Sequence, residues 1–229
     1  MPTKIALVTG ANGGLGTAVT KALLDAGFLV TGLAPRIRPQ DFDHPHFTAL
    51  PASLNSLDEA KKAVETVIAH FGKIDLLAHT VGGFAGGQSV ADTDDATFQR
   101  MFDMNLNSSF HIFRAVIPHM RGAQTGRIVA IGSRAAESPG AMVGAYSASK
   151  AALVSLVRTV AIENKSVGIT ANVILPGTID TAANRAAMPE ADVTQWVKPE
   201  SIASLIVWLA SDAAKDVTGT AIPVYGQGL

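Results

Sequence analysis

Residues 4–16 read Lys-Ile-Ala-Leu-Val-Thr-Gly-Ala-Asn-Gly-Gly-Leu-Gly. Lys4 to Thr9 is a short aliphatic run of the kind that forms a strand buried on both faces. Glycines end that run. Leu15, Ala18, Val19, Ala22, Leu23 and Ala26 then recur at helical spacing until Gly27 supplies a C-terminal stop. The stretch therefore reads as strand, glycine turn and helix. Working outward, the same alternation repeats. Strands are expected at Phe28–Leu33, Phe47–Leu50, Ile74–Thr80, Arg127–Gly132, Ile169–Leu175 and Ala221–Val224, seven in all with the first. Helices are expected at Leu57–Phe71, Ala96–Met120, Tyr146–Val167 and Pro199–Ala210, with a break near Asn105. Short apolar strands alternating with helices imply an α/β fold, a doubly wound parallel sheet of seven strands flanked by helices on both faces. Gly82–Gly87 and Ala182–Val197 read as loops just beyond strand ends, where open α/β sheets bind ligands.

The chain's 229 residues, 48% hydrophobic, suffice for one well-buried core, and a single domain over 1–229 is expected. With 18 basic against 19 acidic residues there is no basic excess to neutralise nucleic-acid phosphates. The absence of cysteine excludes disulfides and thiol catalysis, and the histidines lack metal-ligand spacing, so no metal is expected. Met1-Pro2-Thr3-Lys4 runs straight into a strand without a signal-like apolar stretch, which points to a cytoplasmic protein. Apolar runs such as Leu153–Ile162 are interrupted by Arg158 and too short to span a membrane.

Chemistry enters with three features. Glycines at Gly10, Gly14 and Gly16 let backbone approach a pyrophosphate while the following helix offers unpaired N–H donors; tight strand-to-helix turns use glycine as well. About twenty residues on, where NAD-binding versions place an acid, the chain has Ala34-Pro35-Arg36-Ile37-Arg38. Arginine there suits a 2′-phosphate, so NADP(H) is preferred over NAD(H), with Arg36 first and Arg38 second; the other reading is a solvated basic loop. Finally, one of only two tyrosines, Tyr146, stands four residues before Lys150, which sets both on one helix face. An ammonium beside a phenol of ordinary pKa near 10 favours phenolate and would lower that value.

In order and spacing these segments resemble the short-chain dehydrogenases and reductases. The family's T-G-x-x-x-G-x-G is similar to Thr9–Gly16, its helix asparagine to Asn105, its serine to Ser133, its Y-x-x-x-K to Tyr146–Lys150 and its P-G-x-I-x-T to Pro176–Thr181. The resemblance implies a Rossmann-like domain, a small-molecule carbonyl or alcohol substrate, and assembly as a homodimer or homotetramer. It implies a catalytic set of Asn105, Ser133, Tyr146 and Lys150: Tyr146 as acid/base, Lys150 holding the cofactor ribose, Ser133 bonding the substrate oxygen, and Asn105 supporting a water path to Lys150. Cofactor contacts are implied for Gly10, Asn12, Gly13, Gly14, Leu15 and Gly16; for Ser53, Leu54, Thr80, Val81 and Gly82; and for Tyr146, Lys150, Pro176, Gly177, Ile179 and Thr181.

Two departures stand out. His79-Thr80-Val81-Gly82 replaces the usual Asn-Asn-Ala-Gly, and Ser53-Leu54 replaces an Asp-Val pair at the adenine. A histidine ending a buried strand reads as a hydrogen-bonded core residue or as a substrate contact. The 82–87 and 180–196 loops are locally similar to dihydropteridine reductase, with Phe84 or Trp196 placed to stack on a flat heteroaromatic. Arg36 and Ser133 pull toward ordinary carbonyl reduction, leaving pterin reduction and a non-catalytic NADP(H) sensor as alternatives. The short 181–199 segment suits a small pocket rather than a long acyl channel.

Overall fold

A computed structural model describes residues 3–227; Met1 and Pro2, part of the leader reading above, lie outside the described residues. The strands are β1 (Ile5–Thr9), β2 (Leu29–Ala34), β3 (Phe47–Pro51), β4 (Leu76–His79), β5 (Gly126–Ile131), β6 (Ile169–Pro176) and β7 (Ala221–Val224). All neighbours are parallel, in the order β3-β2-β1-β4-β5-β6-β7. The order reverses between β1 and β4, and the crevice beyond their carboxyl ends is where doubly wound sheets take ligands.

Among the described residues seven α-helices cover the sheet and its carboxyl edge: α1 (Gly14–Asp25), α2 (Leu57–Phe71), α3 (Asp95–Phe102), α4 (Ser108–Ala123), α5 (Gly144–Asn164), α6 (Ala182–Ala187) and α7 (Pro199–Leu209). Side chains alternate across a strand, so β1 feeds two cores at once. Ile5 and Leu7 join Val64, Phe113 and Leu153 from α2, α4 and α5. Ala6 and Val8 join Val19, Leu23, Ile202 and Ile206 from α1 and α7. A strand apolar on both sides is thus the direct consequence of helices on both faces.

The local signals behave as their chemistry dictates. Ser56 caps α2 by accepting from the Glu59 amide at 3.2 Å, and Gly72 ends the helix at φ 77°. The expected break near Asn105 is a π-turn over Asp103–Asn107, which separates α3 from α4. One loop expectation is corrected: 182–197 contains α6 and a 3₁₀ turn at Val193–Gln195. Thr181 and Asp192 cap these by accepting from the amides of Asn184 and Thr194. Side-chain caps outweigh the low apolar periodicity of that stretch. Gly82–Gly87 carries no helix or strand.

Candidate active site

The glycine turn closes on itself. Gly10, at φ 72°, donates its amide to the Leu33 carbonyl at 2.7 Å, and its own carbonyl accepts from Gly13 at 2.9 Å. A Cβ at Gly16 would lie 2.0 Å from that carbonyl oxygen, so the turn excludes any side chain there. Gly13 caps α1 without a side-chain bond, and Asn12, Gly13 and Gly14 are exposed at the mouth. A Cβ at Gly14 would press on Thr181 at 2.8 Å, which sets the base of the 181–197 segment directly over the turn. A bare helix N-terminus behind glycines fits the pyrophosphate of a dinucleotide.

Arg36 and Arg38 both emerge exposed beyond β2 but differ in their ties. Arg38 is held by Asp41, with Nε at 3.3 Å and Nη2 at 3.2 Å, and Asn12 approaches the same carboxylate at 3.5 Å. Arg36 makes no ion pair among the described residues. Leu54 departs from its expected placement: its side chain is buried in the core with α2, and its carbonyl oxygen lies 3.0 Å from His111 Nδ1. Apolar burial outcompetes exposure for the leucine side chain, which leaves the backbone of Leu54 and the half-buried Ser53 on the outer side.

The four residues of the expected catalytic set come from three elements. Ser133 follows β5, where it caps a 3₁₀ turn (Arg134–Ala136) by accepting from the Ala135 amide at 3.1 Å, and its hydroxyl is near enough to the Tyr146 phenol to draw its pKa down. Lys150, one turn along α5 from Tyr146, is buried and donates from Nζ to the Ile131 carbonyl at 2.8 Å. Asn105 is fully buried in the π-turn. Its Oδ1 accepts from the Gly83 amide at 2.9 Å, and its Nδ2 donates to the Gly83 carbonyl at 3.0 Å and to Ser149 Oγ at 3.1 Å. Ser149 in turn donates to the Tyr146 carbonyl at 2.7 Å. A Cβ at Gly82 would lie 2.9 Å from Asn105 Oδ1 and 3.1 Å from Lys150 Nζ. Glycine at 82 therefore lets the β4 turn sit against both side chains.

The electrostatics differ from the expectation for Tyr146. Burial pushes its phenol above the ordinary value, and the Ser133 hydrogen bond opposes this. Lys150 spends its donor on Ile131, and burial holds its own ammonium down to about 8.

Ser133, Tyr146 and Lys150, but not Asn105, line a cavity of about 860 Å³ between the β4, β5 and β6 ends and the 181–197 segment. Leu15, Thr80, Gly82, Pro176, Gly177 and Ile179 join its wall, whereas Gly10, Arg36, Ser53 and Thr181 lie outside it. Val81 packs instead against the core that contains Phe113. Phe84 sets its ring edge against Tyr146, centroids 5.0 Å apart, and Trp196 and Met188 close the far side. Of the 137–143 stretch, Ser138 reaches this cavity, while Met142 and Val143 line a smaller one nearby. Sequence reading missed Arg134 and Tyr225, of which Arg134 had a signal, its place directly after Ser133; Asn184 and Gln195 fall in the 182–197 stretch read as ligand-facing. Among the described residues no three His, Asp or Glu side chains are grouped to hold a metal ion, and no helix is long and apolar enough to cross a membrane.

The sequence profile of a family described as short chain dehydrogenase matches residues 4–192. The chain belongs to this family. Among similar proteins, 3-oxoacyl-(acyl-carrier-protein) reductase FabG of Salmonella typhimurium is 33% identical over 235 residues, covering 97% of this chain and 96% of that protein. Short chain dehydrogenase adrF of Penicillium rubens is 31% identical, covering 96% and 94%. The crystal structure of gox2181 superposes with a TM-score of 0.92 at 28% identity, covering 99% of this chain and 95% of that one. The structure of ElxO with NADP bound has a TM-score of 0.92 and covers 98% of each chain; at 20% identity it shares the fold. As a short-chain dehydrogenase the chain is an oxidoreductase acting on CH–OH or C=O groups.

His79, the departure on β4, is a core residue in this short-chain dehydrogenase. Thr9 Oγ1 lies 2.7 Å from Nδ1 and Ser109 Oγ 2.9 Å from Nε2, and Ser109 donates onward to the Asn105 carbonyl at 3.0 Å. A serine already donating must accept, so the network assigns the proton to Nε2 and makes Nδ1 the acceptor for Thr9. Burial first, and the charge of Lys150 second, hold His79 down at about 3. The unfolded chain takes up a proton as pH falls below about 6.5, while the folded chain resists until about 3. Stability from this site is therefore present above pH 6.5 and lost as pH falls toward 3, roughly 3 kcal/mol by pH 4. His79→Asn is expected to flatten the fall in unfolding free energy between pH 6.5 and 5, above the range where carboxylates titrate. Urea titrations of both proteins across that window check it; parallel slopes would show that His79 does not carry the proton uptake.

Proposed function

We propose that this enzyme reduces a small carbonyl compound, preferring NADPH to NADH, with Tyr146 as the proton donor. The observation that carries the reading is that Ser133, Tyr146 and Lys150 line one cavity, with the buried Lys150 ammonium one helical turn along α5 from Tyr146. A bound nicotinamide supplies hydride to the carbonyl carbon. Tyr146 then gives its hydroxyl proton to the carbonyl oxygen, and Ser133 donates to the same oxygen as charge develops on it. A phenol pushed up by burial stays protonated at neutral pH, which suits the donor direction. Lys150 answers the phenolate that remains, and Asn105 holds Gly83 and Ser149 so that the 82–83 turn and α5 keep their spacing around it.

Arg36 carries the cofactor preference, since it stands exposed at the end of β2 and, unlike Arg38, is not tied to Asp41. Reduction of a planar pterin is the second reading, favoured by the Phe84 ring set edge-on to Tyr146. Ser133, on the same cavity wall as Tyr146, supports the carbonyl reading over it. A homodimer or homotetramer is supported by the apolar surface of α3, the π-turn and α4. There Phe98 stacks on Phe102 at 4.7 Å, and Met104 and Phe110 are exposed.

Tyr146→Phe is expected to bind NADPH as the wild type does while losing at least 100-fold in kcat on aldehydes and diketones, read as NADPH absorbance. Undiminished turnover would remove Tyr146 from the chemistry, and faster turnover of quinonoid dihydropterin than of any carbonyl would favour the pterin reading. Arg36→Ala is expected to weaken NADPH roughly 10-fold or more and to leave NADH almost unaffected, by fluorescence titration; equal losses for both would place the phosphate elsewhere. Light scattering is expected to give the mass of two or four chains, and a monomer at micromolar concentration would overturn the assembly.

A further inference from the structure

One cluster of charge is not used by the chemistry above. It centres on Asp180, in the turn that follows β6, whose carboxylate is taken from both sides. Arg185 on α6 donates Nε to Oδ1 at 2.5 Å and Nη2 to Oδ2 at 2.9 Å, and Lys198, just ahead of α7, donates Nζ to Oδ2 at 2.6 Å. The Asp180 side chain is 8% exposed, whereas those of the two cations are 53% and 55% exposed. A lone surface ion pair contributes little, but a guanidinium fork on a shielded carboxylate that a second cation shares keeps its geometry. Hydrogen bonds from Arg185 first and Lys198 second hold the Asp180 carboxyl well below the usual carboxylate range, so it is charged at neutral pH.

The three charges close a loop in the chain. Between Asp180 and Lys198 runs the segment that gives Ala183, Asn184, Met188, Gln195 and Trp196 to the cavity wall. Backbone bonds join its ends: Asp180 donates its amide to the Val197 carbonyl, and Val197 donates to the Thr178 carbonyl, both at 2.8 Å. Those bonds fix where the segment leaves and rejoins the sheet, and they do not reach its middle. There α6 is six residues long and has no buried residue, so no apolar face holds it down. Its ties are polar. Thr181 caps it, Asn184 Nδ2 donates to the Ile179 carbonyl at 2.8 Å, and Arg185 supplies the charged tie to Asp180. Arg185 is thus the neighbour of one cavity-lining residue, Asn184, and lies three positions before another, Met188.

We propose that Asp180 is a positioning residue that keeps the 182–197 segment closed over the carbonyl substrate, acting through Arg185 and Lys198. The inference rests on the reading of this cavity as the carbonyl site. Asp180 does not itself line the cavity. A segment that is open part of the time lowers apparent affinity by the fraction that remains closed, so loss of the clasp is felt in KM. Ser133, Tyr146 and Lys150 stand outside the segment, at the end of β5 and on α5, and keep their geometry without it.

The test follows NADPH oxidation with benzaldehyde and 2,3-butanedione in wild type, Asp180→Asn, Arg185→Gln and the double variant. Asp180→Asn is expected to raise the carbonyl KM about 10-fold while kcat changes less than about 3-fold. Arg185→Gln is expected to raise KM by less, because Lys198 still holds the carboxylate. The double variant is expected to do no more than Asp180→Asn alone, since both substitutions remove the same contact. Damage to the fold would lower kcat, so the split between KM and kcat separates positioning from damage. Arg185→Gln, at a half-exposed side chain, decides the matter if Asp180→Asn fails to fold. An unchanged KM in the folded variants, a fall in kcat at unchanged KM, or additive effects in the double variant would overturn the proposal. Hydrogen–deuterium exchange gives a readout independent of turnover: amides of 182–197 are expected to exchange at least about 10-fold faster in Asp180→Asn, with the sheet unchanged. If wild type reduces neither carbonyl, faster exchange confined to this segment keeps the clasp and removes the carbonyl assignment; unchanged exchange removes the clasp.

Discussion

A lysine ammonium taken out of water must be given partners, and the site is organised around that requirement at Lys150. Burial alone makes the charged form expensive. The Ile131 carbonyl accepts one of its protons at 2.8 Å, which ties the middle of the catalytic helix to the end of β5. On its other flank the amine meets Gly82, where a single added carbon would intrude at 3.1 Å. The strand ends of β4 and β5 and the first turns of α5 are thereby held to one geometry. Tyr146 inherits its place from this arrangement, since it lies four residues earlier on the same helix.

The second constraint is the π-turn at Asp103–Asn107. An α-helix running unbroken from Asp95 to Ala123 would carry Asn105 in an ordinary i→i+4 ladder. The wider turn instead accompanies a buried side chain that bonds both backbone groups of Gly83 and the hydroxyl of Ser149. Behind it, Ser109 and His79 carry the network to Thr9 on β1. The glycine turn that follows β1 and the asparagine at the catalytic helix are thus joined by a continuous chain of hydrogen bonds. A histidine serves here because it can donate at one ring nitrogen and accept at the other while remaining neutral.

Much of this was legible in the residue order. All seven strands were placed within two residues at each end, because parallel strands buried on both faces are continuous apolar runs. The break at Asn105 was visible as well, in a helical pattern too long and too polar at its centre. Helix α6 was not legible: six residues, four of them alanine, carry no periodicity, and the signal was the Thr181 cap. The burial of the Leu54 side chain was not legible either, because the identity of a leucine at that position does not disclose which way its backbone turns it.

The sequence by itself determined the fold class, the identity of the glycine turn and the pairing of Tyr146 with Lys150, since each follows from local spacing along one strand, turn or helix. Tertiary structure decided which neighbours those groups have. It placed the Lys150 ammonium on the Ile131 carbonyl, tied Arg38 to Asp41, buried Leu54 and gave His79 two hydroxyl partners. It also brought Arg134 and Tyr225, 91 positions apart in the chain numbering, to one cavity wall. The reason is physical: spacing fixes direction along an element, whereas charge, burial and hydrogen-bond satisfaction are settled only when distant elements pack.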